Sequence, residues 1–208
     1  MIGGLDAARV RRNAERIRAE IGDGPELLAA VKYVPLEELW ALAEAGVTLL
    51  GENRAQDLEA KAAAYPGAFR WHFIGQLQSR KVKDVLPHVE LIHSVASDSA
   101  LRQLGRHGTA ETEVLVEVNI AGEEGKAGIA PAELGDFIAR CPVTVAGLMT
   151  MPPFAEDPEA SRPHFAALRE LAAEHGLRQL SMGTSQDYRV AAEEGATIVR
   201  VGSVLYGA

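Results

Sequence analysis

A single lysine interrupts an apolar run near the start of the chain. The run is AAVKYVP, residues 29–35, and Lys32 is its one charged residue. If the run is a strand, Leu28, Ala30 and Lys32 share one face, because side chains alternate along a strand. A lysine on the inner face of a barrel would be partly desolvated, which favours the neutral amine that attacks aldehydes. The alternative is a strand-end lysine whose amine reaches solvent or pairs with a carboxylate such as Glu52.

Two short turns near the other end of the chain are rich in glycine and hydroxyl groups. They are SMGTSQD, residues 181–187, and RVGS, residues 200–203. Backbone N–H groups and hydroxyls in such turns can hold a phosphate without a lysine. The candidate phosphate-binding residues are Gly183, Thr184, Ser185, Gly202 and Ser203. Either turn alone is an ordinary turn, but both together with Lys32 favour a ligand that carries a phosphate and an aldehyde.

The elements that must position these residues alternate between strands and helices. The apolar, β-branched runs that predict strands span residues 27–33, 48–53, 71–75, 91–96, 113–120, 143–151, 179–185 and 197–203. Each is followed by helical spacing, and eight such units close into a parallel (β/α)₈ TIM barrel of the α/β class. An open doubly wound sheet is the alternative, but the GxGxxG fingerprint is absent after the first strand.

An amphipathic segment precedes the first strand. Val10, Ala14, Ile17 and Ile21 lie on one stripe at helical spacing, which predicts an extra N-terminal helix within residues 1–25. Residues 26–208 then form the barrel, and no linker rich in Pro, Gly or Ser divides the chain. We therefore expect residues 1–208 to form a single domain.

Working residues of a TIM barrel lie at the carboxyl ends of its strands. Lys32 ends the first predicted strand, Asn53 the second and Arg200 the eighth, which neighbours the first in a closed barrel. One ligand that satisfies these groups is pyridoxal 5′-phosphate (PLP), with its aldehyde on Lys32, its phosphate on the last two turns and its ring nitrogen toward Arg200. His72 is a further polar candidate, although a structural, hydrogen-bonded histidine explains it equally well.

Composition excludes several classes of partner. The formal charge is −8, from 21 Lys and Arg against 29 Asp and Glu, which repels nucleic acid and anionic lipid. No stretch is long and apolar enough for a signal peptide or a spanning helix. The single cysteine, Cys141, excludes an intramolecular disulfide and a multi-thiolate zinc site. We expect a cytoplasmic protein that binds neither nucleic acid nor membrane and contains no metal.

Motifs along nearly the whole chain resemble the pyridoxal phosphate homeostasis protein family, also described as proline synthetase co-transcribed or alanine racemase N-terminal-domain-like proteins. The motifs are AAVKYVP, LLGENRAQDLEAK, WHFIGQLQSRK, IHSVAS, VLVEVNIAGEEGKAG, GLMTMPP, LSMGTSQD and ATIVRVGSVLYG. The resemblance implies that Lys32 forms a Schiff base with PLP, that Gly183, Thr184, Ser185, Gly202 and Ser203 hold the phosphate, that Arg200 faces the ring nitrogen, and that Asn53 lies near the ring or Lys32. The residues that depart from the family pattern are Val31, Arg80, Ala96 and Thr184.

The same resemblance leaves two functions open. Arginine is a poor group for keeping a ring nitrogen protonated, because a guanidinium donates a hydrogen bond without releasing a proton. We expect this chain to lack the β domain that supplies a catalytic tyrosine in alanine racemase-like enzymes. Tyr33 is expected to face the helices, and Tyr188 could overhang the site. We therefore expect a monomeric PLP carrier or buffer that serves PLP-dependent enzymes. The alternatives are a weak amino-acid racemase or lyase and a barrel enzyme for another sugar phosphate.

Overall fold

The computed structural model describes residues 3–207 and shows, within them, a closed barrel of eight parallel strands. The strands are β1 Glu26–Ala30, β2 Leu49–Glu52, β3 Arg70–Phe73, β4 Leu91–Val95, β5 Glu113–Glu117, β6 Thr144–Met149, β7 Gln179–Ser181 and β8 Ile198–Val201. Pairing of β1 with β8 closes the barrel. The TIM-barrel prediction is confirmed.

Helices follow the strands around the outside of the barrel. They are α1 Ala7–Ile21, α2 Trp40–Glu44, α3 Ala55–Ala64, α4 Val82–Val85, α5 Asp98–His107, α6 Leu134–Ala139, α7 Arg162–Glu174, α8 Tyr188–Glu193 and α9 Ser203–Tyr206. Short 3₁₀ turns cover Leu36–Glu38, Ser79–Lys81, Leu86–His88, Pro131–Glu133 and Pro158–Ser161.

The predicted N-terminal helix is present as α1. Asp6 caps it by accepting a 2.9 Å hydrogen bond from the Ala8 N–H, and Gly22 follows its last turn with a φ of 70°. The predicted apolar stripe is buried, and Asn13 of the same helix donates 3.1 Å hydrogen bonds to the carbonyls of Leu205 and Gly207. The helix therefore packs against the chain segment that follows β8.

The core has two layers, as the period of two in the strands requires. An inner cluster fills the barrel and consists of Leu28, Leu49, Leu91, Leu115, Met149 and Ile198, with Ile74 and Ala146 packed against it. An outer layer lies between strands and helices, and it includes Leu27, Ala29 and Val31 of the first strand segment. Leu28 therefore points inward, which sets the direction for Ala30.

Several strands end earlier than the apolar runs predict. β1 ends at Ala30 and not at residue 33, β7 at Ser181 and not at 185, and β8 at Val201 and not at 203. The remaining residues of those runs form loops at the carboxyl end of the barrel.

No helix within residues 3–207 is long and apolar enough to cross a membrane. The division into an N-terminal helix over residues 1–25 and a barrel over residues 26–208 stays a prediction, and Met1, Ile2 and Ala208 lie outside the described residues.

Candidate functional site

The candidate site lies where the strands end at the carboxyl side of the barrel. Lys32 follows β1, Asn53 follows β2, residues 183–185 follow β7 and residues 202–203 follow β8. Ala29 pairs with Val201 in the register of β1 and β8. A Cβ placed on Gly202 would have the Ala30 carbonyl oxygen as its nearest atom, at 3.8 Å. The turn that carries Lys32 and the last turn of the barrel are therefore neighbours.

Lys32 differs from its predicted environment in two respects. It lies in a turn two residues beyond β1, where the Val34 N–H donates to the Val31 carbonyl at 3.0 Å. Its side chain is exposed and not desolvated, and the partner of Arg200 in the strand register is Leu28, so Lys32 is not directly beside Arg200. Tyr33 was expected to face the helices, but it is 56% exposed, and the Lys32 Nζ lies 5.0 Å from its ring centroid.

A buried ion pair explains why β1 ends at this point. Lys61 Nζ donates to Glu52 Oε2 at 2.6 Å and to the Val31 carbonyl at 2.8 Å. Glu52 is fully buried, and its other oxygen, Oε1, accepts a 2.7 Å hydrogen bond from the Asn53 N–H. The alternative partner considered for Lys32, Glu52, is thus paired with Lys61 instead. The same pair fixes the backbone on both sides of the site, before Lys32 and at Asn53.

Asn53 presents a buried oxygen that no group in the described chain satisfies. Its Oδ1 atom is inaccessible to solvent and has no hydrogen-bond partner among residues 3–207. Buried polar atoms in folded proteins are almost always paired, so an orphaned one calls for an explanation. A donor on a bound ligand would satisfy it.

The loop after β7 is fixed by Asp187. Its Oδ1 atom accepts 2.7 Å and 3.1 Å hydrogen bonds from the N–H and hydroxyl of Thr184, and its Oδ2 atom accepts from Ser161 at 2.8 Å. Gly183 has a φ of 87°, and a Cβ there would lie 2.5 Å from the Cβ of Ala191. Only glycine fits that position.

A direct hydrogen bond joins the two predicted phosphate loops. The Gly202 N–H donates to Ser185 Oγ at 3.0 Å, and α9 begins at Ser203. The first N–H groups of a helix have no acceptor within the helix. The space beside Gly202 is not filled by the chain, since a Cβ would meet only Ala30, at 3.8–3.9 Å. The structure brings all five predicted phosphate residues to these two joined loops.

Arg200 lies deeper, on the inner face of β8. One guanidinium nitrogen donates to Ser181 Oγ and another to the Thr150 carbonyl at 2.9 Å, which uses two of its five N–H donors. Burial lowers the pKa of Arg200 to about 10, against the opposing charges of Asp187 and Glu117. Arg200 is therefore still a cation at neutral pH.

His72 does not lie at the carboxyl end of the barrel with the other candidate residues. It lies inside the barrel on β3 and lines a cavity of about 300 Å³ at the amino end, together with Glu26, Arg70, Glu90 and Glu113. Its Nδ1 atom lies 2.9 Å from His93 Nε2. Burial, with the charge of Arg70 second, lowers the pKa of His72 to about 4. His72 reaches Arg200 only through His93 and Ser181.

Several residues that shape the site are not among those predicted from the sequence. Ser181, His93, Thr150, Glu117 and Asp187 contact or electrostatically influence Arg200. Glu117 shares the inward parity of Leu115 on β5, and burial raises the pKa of its carboxyl group. His93 and Ser181 stand in quoted motifs, IHSVAS and LSMGTSQD, where a polar residue in an apolar run was the available signal.

Tyr188, Tyr206 and Tyr65 each make a contact within the protein that does not involve Lys32. Tyr188 is buried and donates its hydroxyl to Glu20 of α1, so it does not overhang the site. Tyr206 donates to the Ala30 carbonyl at 3.2 Å, and Tyr65 packs edge-on against Phe69 with ring centroids 5.7 Å apart. Within residues 3–207, no three His, Cys, Asp or Glu side chains cluster as metal ligands.

The sequence of this barrel matches a known protein family over nearly its whole length. A family model described as alanine racemase, N-terminal domain, matches residues 5–208. The fold and the site at its mouth thus define a protein of the alanine racemase N-terminal domain class. A relative from Aquifex aeolicus, named pyridoxal phosphate homeostasis protein, is 42% identical over 219 residues that cover 96% of each chain. This chain belongs to the pyridoxal phosphate homeostasis protein family.

Other relatives and solved structures agree with this assignment. A protein of the same name from Deinococcus radiodurans is 36% identical, and the match covers 94% of this chain and 95% of that protein. PipY of Synechococcus elongatus, solved without and with PLP bound, superposes with a TM-score of 0.84 at 31% identity, covering 95% of this chain and 100% of that one. An alanine racemase from Corynebacterium glutamicum superposes at 0.74 with 16% identity, covering 98% of this chain and 61% of that one, and shows a shared fold alone.

Proposed function

We propose that this chain binds PLP at the carboxyl end of its barrel and takes part in PLP homeostasis as a carrier or buffer. The observation that carries the proposal is the meeting of an exposed lysine with two joined, glycine-containing loops. Lys32 follows β1, and the loops of Ser185 and Gly202 end the neighbouring part of the barrel. PipY, solved with PLP bound, supports the same ligand for this chain.

The residues present fit the cofactor. The space beside Gly202 and the N–H groups at the start of α9 suit a phosphate that approaches the backbone closely. The orphaned Asn53 Oδ1 atom suits a donor near the ring. Arg200 supplies remaining N–H donors for a ring nitrogen, as the two contacts it makes use only two of them.

Lys32 would hold the cofactor through reversible condensation. Its amine attacks the C4′ aldehyde carbon, the oxygen leaves as water, and a Schiff base links the two. Attack at C4′ by water or by another amine breaks that link and returns Lys32 as a free amine. Exposure of Lys32 suits this exchange, because water and small amines can reach the linkage.

Arg200 favours a carrier over an enzyme. PLP, when bound, can act as an electron sink for amino-acid chemistry, and the sink is strongest when its ring nitrogen is protonated. A guanidinium that stays charged at neutral pH donates a hydrogen bond and does not protonate that nitrogen. We therefore expect little turnover by this chain, whose role is the transfer of PLP to PLP-dependent enzymes.

The test of the central assignment is chemical trapping at Lys32. The protein is incubated with PLP, reduced with borohydride and digested, and the modified peptide is identified by mass. We expect the adduct on Lys32, loss of the visible Schiff-base absorbance in Lys32→Ala, and no change in Lys83→Ala, which removes another exposed lysine. An adduct elsewhere, or a spectrum unchanged in Lys32→Ala, would remove the assignment.

The second candidate function is a weak amino-acid racemase or lyase. The observation in its favour is Tyr33, whose ring lies beside the Lys32 amine. Incubation of the PLP-loaded protein with L-amino acids in deuterated water separates the two functions. Deuterium incorporation at Cα faster than about 1 s⁻¹ would favour an enzyme. We expect none above the rate with free PLP.

We also infer a monomer that works in the cytoplasm, without nucleic acid or membrane as a partner. The net charge of −8 and the single cysteine support this inference. Light scattering of the PLP-loaded protein at micromolar concentration tests the monomer directly.

A further inference from the structure

A chain of hydrogen-bonded side chains runs through the barrel interior from Arg200 to the amino end. Arg200 donates to Ser181 Oγ, which lies 2.8 Å from His93 Nδ1. His93 Nε2 lies 2.9 Å from His72 Nδ1, and the two imidazole rings are 5.0 Å apart between centroids. His72 Nε2 faces the cavity at the amino end, 4.0 Å from Glu90 Oε2. Four strands, β8, β7, β4 and β3, each contribute one member.

The members of this chain are all buried. Exposure is 0% for Ser181 and His93, 3% for His72 and 6% for Arg200. Polar groups at this depth must satisfy one another, because a buried donor or acceptor without a partner destabilises the folded protein. The direction of each hydrogen bond is therefore determined by the hydrogen-bonding groups of these four side chains.

The guanidinium sets that direction. Arg200 has donors and no acceptor, so Ser181 Oγ must accept from it. Among residues 3–207, the Ser181 hydroxyl has one further partner, His93 Nδ1, and its own proton goes there. A neutral imidazole that accepts at Nδ1 carries its proton on Nε2.

The hydrogen bond between the two histidines determines which nitrogen of His72 carries the proton. His93 donates from Nε2 to His72 Nδ1, so a neutral His72 also carries its proton on Nε2. That N–H then points toward the Glu90 carboxylate and the cavity at the amino end. Both histidines are neutral at pH 7, because burial lowers the pKa of His72 to about 4 and lowers that of His93 as well.

We propose that Ser181, His93 and His72 are positioning residues that hold the Arg200 guanidinium in a single orientation through a one-directional chain of hydrogen bonds. The proposal rests on the proposed function in one respect, that the fixed guanidinium faces the ring nitrogen of PLP. If the direction of one of these hydrogen bonds were reversed, two donors or two acceptors would face each other inside the barrel. The chain therefore resists rotation of Arg200 away from the mouth.

The cavity at the amino end completes the chain. Its lining includes Arg70, which is paired with Glu26 at 2.7 Å and Glu90 at 2.9 Å. Arg70 thus keeps the Glu90 carboxylate near His72 Nε2, where an acceptor is needed. The two ends of the barrel interior are linked by oriented groups, with a cation at one end and a carboxylate at the other.

The first test uses the wild-type protein without PLP. Nitrogen-15 labelling of histidine, followed by long-range proton–nitrogen correlation at pH 7, reports which ring nitrogen carries the proton. We expect His72 and His93 each in a single form, protonated on Nε2. A proton on Nδ1 of His93 would overturn the proposal, because Ser181 could then not donate to it.

The second test removes the hydroxyl that joins His93 to Arg200. In Ser181→Ala we expect a mixture of tautomers at His93 and an increase of about tenfold in the PLP dissociation constant, the loss of one hydrogen bond to a charged group. The matched control is Ser94→Ala. Ser94 is buried in β4 beside His93, but its hydroxyl donates to the Gly75 carbonyl and takes no part in the hydrogen bonds that lead to Arg200. There we expect one tautomer and a dissociation constant within twofold of wild type.

These outcomes separate the two proposals. If wild type binds no PLP, the proposed function fails, and the tautomers still decide the direction of the chain. If Ser181→Ala keeps the His93 tautomer and the PLP affinity of Ser94→Ala, the positioning role is overturned even though PLP binds. If Ser181→Ala does not fold, the wild-type tautomers alone decide the proposal.

Discussion

Lys61 and Glu52 form a buried ion pair, with Nζ 2.6 Å from Oε2, directly beneath the turn that carries Lys32. Lys61 also holds the Val31 carbonyl, and Glu52 also holds the Asn53 N–H. One charge pair thus fixes the residue before Lys32 and the residue after β2. Loss of either partner would leave an uncompensated charge in the interior.

We expect Lys61→Met to lower the free energy of unfolding by about 3–5 kcal/mol, because the Glu52 carboxylate loses its counter-charge while buried. Urea denaturation of the protein without PLP measures this as a fall in the transition midpoint. Lys83→Met, at an exposed position, should stay within about 0.5 kcal/mol of wild type. A loss of less than about 1 kcal/mol in Lys61→Met would show that the pair is not required.

We expect the variant Gly202→Ala to bind PLP more weakly while keeping nearly the stability of the wild type. A Cβ there meets only Ala30, at 3.8–3.9 Å, so Gly202→Ala should change the free energy of unfolding by less than about 1 kcal/mol. The added methyl group would occupy the space assigned to the phosphate, and we expect the PLP dissociation constant to rise at least about tenfold. Equilibrium titration with PLP measures the effect. Gly24→Ala, also in open space but remote from the mouth, is the control, and equal affinities in both variants would contradict the assignment.

We expect the variant Asn53→Ala to lose affinity for PLP without losing stability, because it removes a polar atom that only the ligand would contact. Because its Oδ1 atom has no partner among residues 3–207, Asn53→Ala removes no hydrogen bond of the protein alone and should be close to neutral for stability. With PLP bound we expect that atom to accept a hydrogen bond, so the variant should bind about fivefold to tenfold more weakly. Calorimetric titration and thermal unfolding without ligand, run side by side, test both halves. A large loss of stability without a loss of affinity would assign Asn53 a structural role instead.

The fold was accessible from the sequence because its signals are periodic and local. All eight predicted strands are present, and the α1 stripe of Val10, Ala14, Ile17 and Ile21 is buried as predicted. What failed was the carboxyl end of each run, as at Lys32 and Tyr33. An apolar run does not reveal that a lysine from α3 takes the Val31 carbonyl and ends the ladder there.

The site was only partly accessible for a related reason. Lys32, Asn53, Gly202 and Ser203 lie at strand ends, where strand order alone places them at one mouth. His72 lies within a strand and not at a strand end, and its pairing with Leu91, the first residue of β4, sets it near the amino end of the barrel. Depth along a strand depends on the stagger between strands, and a single sequence carries no signal for that.

The burial of His72 makes the stability of the folded protein depend on pH. Its pKa is about 4 in the folded protein and about 6.5 when exposed, so between these values the unfolded chain binds a proton that the folded chain does not. Stability should therefore be greatest above about pH 6.5 and fall as the pH falls toward 4, with His72 contributing on the order of 2–3 kcal/mol. Urea midpoints from pH 4.5 to 7 measure the slope.

His72→Gln isolates this contribution from the rest of the titration. Glutamine does not titrate, and its side-chain oxygen can accept from His93 Nε2 as His72 Nδ1 does. We expect the variant to lose part of the pH dependence between 4.5 and 6.5, while His93, whose pKa is also lowered by burial, retains the remainder. His88→Gln removes a histidine from a 3₁₀ turn outside the barrel and should keep the full wild-type slope. If His72→Gln and wild type lose stability in parallel as the pH falls, His72 is not held neutral inside the barrel.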